Sequence, residues 1–105
     1  MPVVTLLTDF GLVDSYVSQM EGVILDICPQ SQIVDITHMV ERHNIVSGAF
    51  LLETAVPHFP KNSTHLAVVD PGVGTSRLPL VVKSKNATLV GPDNGLQKER
   101  RERWE

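Results

Sequence analysis

Residues 3–38 read VVTLLTDFGLVDSYVSQMEGVILDICPQSQIVDITH, and the periodicity of that stretch changes twice. Val3 to Leu7 and Ile33 to Ile36 are short, β-branched apolar runs. Between them, from Asp14 to Cys28, the apolar residues Tyr16, Met20, Val23 and Ile27 recur at intervals of four, three and four. The runs predict strands and the intervals predict one apolar stripe on a helix, with Asp14 as its N-cap and Pro29 just beyond its end. A strand, a helix and a strand of these lengths make a right-handed crossover in a parallel sheet.

Outward from this unit the pattern repeats. Ile45, Ala49, Leu52 and Val56 predict a second helix capped by Asn44 and barred from extension by Pro57 and Pro60. Leu66 to Val69 follows as a third strand. Leu80 to Lys83 and Ala87 to Val90, joined by Ser84-Lys85-Asn86, read as a hairpin. The first three runs are almost continuously apolar, which predicts strands covered on both faces. The expected fold is α/β, a mostly parallel sheet in a three-layer-like arrangement with helices packed on it.

Composition narrows the class of protein. A length of 105 residues allows one domain, and 42% apolar with 20% charged residues excludes collagen-like and disordered chains. No apolar run approaches the roughly 20 residues of a membrane helix, and no basic region precedes the first apolar stretch, so neither a membrane partner nor a secretory signal is expected. The expected location is cytoplasmic. The single cysteine, Cys28, forms no internal disulfide and reads as a buried, inert thiol. A net charge of −3 without a basic stripe gives no reason to expect a nucleic-acid partner. Gln97 to Glu105 carries four basic and three acidic residues in nine positions, so the chain divides into a domain over 1–96 and a charged tail over 97–105.

Ligands in open α/β sheets bind beyond the carboxyl ends of the strands, and there this sequence is polar. Strand one runs into Thr8-Asp9-Phe10-Gly11, strand two carries Asp35 and runs into Thr37-His38, and strand three runs into Asp70-Pro71-Gly72-Val73-Gly74-Thr75-Ser76-Arg77. Asp70 is either a turn-initiating residue or a site carboxylate that Arg77 reaches back to pair with. Asp9 is either a loop residue before Gly11 or an acceptor for two neighbouring hydroxyls of a sugar. His38 reads as a ligand contact, a metal ligand or a satisfied histidine at the strand end; His58 and His65 read as structural or solvated. There is no His-x-x-x-His, cysteine pair or Asp-x-Asp run, so no metal site is expected. Gly72-Val73-Gly74 lacks the third glycine of a dinucleotide loop, and no P-loop sequence occurs.

Thr8-Asp9-Phe10-Gly11, Ile33 to His38, Gly48 to Leu52, Val68 to Gly74 and Gly91 to Leu96 together resemble, in order and spacing, the N-terminal domain of the S-adenosylmethionine hydroxide adenosyltransferases, hydrolytic relatives of fluorinase and chlorinase. The resemblance covers roughly residues 3 to 96. It implies hydrolysis of S-adenosyl-L-methionine to adenosine and L-methionine by attack of water or hydroxide on the ribose C5′, with no cofactor and no metal. It also implies that Asp70 and Arg77 belong to the catalytic Asp-Arg-His set, that Asp9 binds the ribose hydroxyls, and that Asp14 contacts the methionine amino group. His43 stands where the family carries a site-lining aromatic residue. Halogenating relatives carry a tyrosine at the position of Asp70 and a hydroxyl residue at that of Val73, so halogenation is disfavoured. A carboxylate there would repel a halide.

The family's catalytic histidine and its C-terminal β domain lie beyond Leu96. The expectation is therefore a truncated or frame-shifted product, impaired as a hydrolase and self-associating, since the family forms trimers. A catalytically inactive nucleoside-binding or self-associating module is the alternative. A magnesium-dependent phosphohydrolase using Asp9, Asp35 and Asp70 is a remoter one.

Overall fold

A computed structural model describes residues 2–69 and 79–92. Its element order is β1 (Val3–Thr8), α1 (Tyr16–Ile27), β2 (Gln32–Thr37), α2 (Ile45–Ala55), a short 3-10 turn (Val56–His58), β3 (Ser63–Val68), β4 (Pro79–Lys83) and β5 (Ala87–Pro92). Every strand and helix expected from the sequence is present.

One five-stranded sheet runs in the order β2-β1-β3-β5-β4. Strand β1 is parallel to β2 and β3, β3 is parallel to β5, and β4 joins antiparallel to β5, so the expected hairpin forms. The pairing of β1 with β2 shifts register between Leu6 and Leu7. Leu6 lies opposite Asp35, whereas Leu7 lies opposite Thr37. Ile36 is thereby skipped, and the side chains that follow it exchange faces.

The two faces of the sheet are unequally covered. On one, Leu7, Ala67, Ala87, Leu89 and Val82 pack with Ala49 and Leu52 of α2 and with Val40 and Val56 in a single buried cluster. The stripe of α2 is therefore core, as its spacing required. Asn44 caps the helix by accepting the Ser47 N–H through Oδ1 at 3.0 Å.

Alternation places Leu66 on the opposite face, where α1 stands off the sheet. No residue of α1 is buried, and Tyr16, Val23 and Ile27 of its predicted stripe are exposed. The expectation that three strands are covered on both faces holds only for β1, whose last four residues are buried. Strand β2 forms an edge with exposed and half-buried residues and none buried, and β3 alternates buried with half-buried residues, because the helix above their second face does not close onto it. Two local expectations also change. The N-cap position of α1 is Ser15, although the Asp14 carboxylate still accepts the Tyr16 N–H at 3.0 Å. Cys28 is half-buried at the helix end, not buried. No helix among the described residues is long and apolar enough to cross a membrane.

The contrast between the helices is measurable by urea denaturation. Leu52→Ala is expected to cost about 3 kcal/mol, because it opens a cavity in the packed cluster. Val23→Ser on α1 is expected to cost under about 0.5 kcal/mol, in keeping with a side chain already in water. Comparable losses for the two would show that the α1 stripe is core after all.

Candidate functional site

The gap beneath α1 is a cavity of about 900 Å³ lined by Phe10, Tyr16, Met20, Val23, Ile24 and Leu66, with Asp9, Asp14, Arg42 and His43 among its polar wall. Its apolar and aromatic lining with a few polar groups is the usual make-up of a small-molecule site. Tyr16, Met20 and Val23 of the α1 stripe are thus part of the wall of a pocket open to solvent. Phe10 and Tyr16 meet in a tilted arrangement, with ring centroids 6.1 Å apart.

Asp9 enters this cavity from the end of β1. The backbone N–H of His43 donates to Asp9 Oδ2 at 2.7 Å, fixing one carboxylate oxygen. Oδ1 has no protein partner among the described residues. His43 makes this contact from a left-handed backbone conformation, with φ of 63°, at the turn into α2. Asn44 and Ile45 complete the turn by donating to Glu41 O and His43 O. The turn of β1 into its loop is tied as firmly. Gly11, at φ of 75°, donates its N–H to His38 O at 2.7 Å, a conformation that favours glycine for backbone reasons, since an added Cβ would meet nothing within 4 Å.

Of the residues expected to act on a ligand, Asp9, Asp14 and His43 line one cavity. Asp70 and Arg77 lie outside the described residues, as do Asp93 to Leu96 and the 97–105 tail. Asp9 and Asp35, paired in the phosphohydrolase reading, have different partners. Asp35 Oδ1 meets His38 Nε2 at 2.8 Å, and His38 Nδ1 meets Thr8 Oγ1 at 2.8 Å. The satisfied-histidine reading of His38 is the one the structure supports, with the residue 3% exposed. His65 is likewise structural, buried between Thr5 Oγ1 at 2.7 Å and the Phe59 ring, which it meets in a T-shaped arrangement; His58 is exposed.

Residue spacing missed one grouping. Glu21, Asp35 and His38 each bring a potential ligand atom within 4.8 Å of the others. The three come from α1, from β2 and from the loop after it, so no linear motif announces them. Spacing also missed Arg42 on the cavity wall and the His43 backbone N–H that fixes Asp9.

The family model described as the SAM hydroxide adenosyltransferase N-terminal domain matches residues 4–102. An (R)-S-adenosyl-L-methionine hydrolase of Methanocaldococcus jannaschii is 46% identical over 101 residues, covering 91% of this chain and 38% of that protein. The (R)-S-adenosyl-L-methionine hydrolase of Salinispora tropica is 43% identical over 95 residues, covering 90% of this chain and 36% of the relative. Among solved structures, an uncharacterized conserved protein from Thermotoga maritima superposes with a TM-score of 0.90 at 40% identity, covering 96% of this chain and 39% of the other. The chain therefore spans less than two fifths of the length of these relatives.

The backbone of His43 gives a direct test of the wall it builds. His43→Gly is expected to be neutral or stabilising by up to about 1 kcal/mol in thermal denaturation, because it relieves the left-handed conformation at some entropic cost. His43→Val, β-branched and poorly suited to positive φ, is expected to lose about 1–2 kcal/mol. Equal stabilities for the two variants would show that residue 43 is not held in this conformation.

Proposed function

The chain belongs to the SAM hydroxide adenosyltransferase N-terminal domain family, and from that premise we propose that it provides the adenosyl-binding wall of an enzyme hydrolysing S-adenosyl-L-methionine to adenosine and L-methionine. One observation carries the reading. The Asp9 carboxylate stands at an aromatic and apolar cavity with Oδ2 fixed by the His43 N–H and Oδ1 without a partner among the described residues.

A carboxylate fixed at one oxygen is suited to accept hydrogen bonds from the vicinal hydroxyls of a ribose. Phe10, Tyr16 and His43 offer ring faces for a purine, and Met20, Val23 and Ile24 supply apolar surface. Asp14, at the mouth of α1, is available to the methionine ammonium. Its Oδ1 already accepts one helix N–H, which holds the side chain in place.

The reaction needs little from the protein beyond placement. Water attacks C5′ in line with the C–S bond, the C–O bond forms as the C–S bond breaks, and the electron pair of that bond neutralises the sulfonium as methionine leaves. The water loses one proton. Asp70 and Arg77 are proposed to hold that water and stabilise its developing hydroxide character, the guanidinium keeping the carboxylate ionised. In this reading the substrate is S-adenosyl-L-methionine and neither a metal nor a further cofactor takes part.

Calorimetric titration of adenosine tests the assignment of the wall. Wild-type chain is expected to bind it saturably, Asp9→Asn at least tenfold more weakly, and Asp70→Asn within about threefold of wild type, because Asp70 is assigned to the water. Absence of binding, or equal affinity for wild type and Asp9→Asn, overturns the reading.

A further inference from the structure

The Glu21, Asp35 and His38 grouping poses a choice between a cation site and an internal relay, and hydrogen-bond accounting decides it. Thr8 is fully buried, and its Oγ1 accepts the Phe10 N–H at 3.2 Å and meets His38 Nδ1 at 2.8 Å. If His38 carried its proton on Nδ1, freeing Nε2 for a metal, Thr8 Oγ1 would accept twice. Its own hydrogen would then have no acceptor among the described residues. A buried hydroxyl hydrogen left unpaired costs about 1–3 kcal/mol. With the proton on Nε2 every group is satisfied. Nε2–H donates to Asp35 Oδ1, the Thr8 hydroxyl donates to Nδ1, and Thr8 Oγ1 accepts from Phe10.

We propose that His38 is a positioning residue for Asp9, held in its Nε2–H tautomer by Asp35 and acting through Thr8 on the turn that presents the Asp9 carboxylate. Three ties converge on that turn from the His38 segment. The His38 ring holds the Thr8 hydroxyl, the His38 carbonyl accepts from Gly11 at 2.7 Å, and the Val40 N–H reaches Thr8 O at 3.4 Å. Asp9 lies between Thr8 and Gly11, so the turn is anchored to the strand-two loop on both sides of it, while its carboxylate is anchored to His43 farther along the same loop.

The register shift makes the device available. Asp35 and His38 are three residues apart and in a regular strand would point to opposite faces. Skipping Ile36 turns His38 back toward the side of Asp35 and brings it beside Thr8. The inference rests on the adenosyl-site reading only for what Asp9 binds; the relay itself is tested without a ligand.

The test is nuclear magnetic resonance on the 105-residue chain. Imidazole ¹⁵N shifts are expected to show His38 protonated at Nε2 and bare at Nδ1, and amide exchange reads the turn. Thr8→Val and Asp35→Ala are expected to speed exchange at Gly11 and His43 at least tenfold while leaving Leu52 and Leu89 within twofold. Thr8→Ser, which restores the hydroxyl, is expected to match wild type. Protonation at Nδ1 in the wild type, unchanged exchange at Gly11 and His43, or equal acceleration at Leu52 overturns the proposal. So does a rise in melting temperature on adding zinc that is lost in Glu21→Gln, which would assign the grouping to a cation.

In parallel, Asp35→Ala is expected to weaken adenosine binding at least threefold although residue 35 does not line the cavity, and unchanged affinity counts against the proposal. If the wild type binds no adenosine, the adenosyl reading fails and the exchange data still decide the relay.

Discussion

The carboxyl edge of the sheet depends on the single register irregularity between β1 and β2. It lets an edge-strand aspartate and a buried histidine share one side, and so lets a fully buried threonine hydroxyl find both a donor and an acceptor. Buried polar groups are tolerated only when paired. Thr8 and His38 are both buried, so neither can relax toward water if the other is displaced. The resulting chain of hydrogen bonds is rigid because each member has one arrangement that satisfies all the others.

The fold was legible wherever the sequence pattern and the packing demand coincide. Ile45, Ala49, Leu52 and Val56 recur at helical spacing and meet a sheet face rich in Leu, Ala and Val, so periodicity and burial agree. The stripe of Tyr16, Met20, Val23 and Ile27 has the same spacing and a different fate. Periodicity reports that a helix has one apolar side; it does not report whether that side meets protein, ligand or solvent. The same limit applies to the strands. Ile33 to Ile36 and Val3 to Leu7 both read as apolar strand runs, but β2 lies at an edge and β1 in the interior, and strand order is a property of the whole sheet.

At the site, three residues singled out from the sequence, Asp9, Asp14 and His43, line one cavity. What was not legible depends on backbone and tertiary geometry. The His43 N–H that holds Asp9 is common to any residue at that position, and only its left-handed φ aims it. Glu21 joins Asp35 and His38 from a different element, and Asp35 itself reads as a possible metal carboxylate until its partner is seen. Cys28, expected to be buried, shows the converse error. It follows an apolar stretch but lies half-buried at the helix end, just past the last residue of α1.

The charge pattern of the cavity bears on how the proposed chemistry would be organised. The proposed sulfonium substrate is cationic and loses part of its positive charge on the way to the transition state, so a carboxylate placed against sulfur would stabilise the ground state more than the transition state and slow the reaction. Carboxylates help when they bind parts of the substrate whose charge does not change, such as ribose hydroxyls and the methionine ammonium. Asp9 and Asp14 suit those tasks. Each has one oxygen tied to a backbone N–H of the protein, which limits its freedom to swing toward the sulfur. A fixed acceptor also loses little entropy on binding, so the hydrogen bonds it makes go into orienting C5′ toward the water. The relay through His38 serves the same end from behind the turn, since a carboxylate can orient a ribose only as well as its own backbone is held.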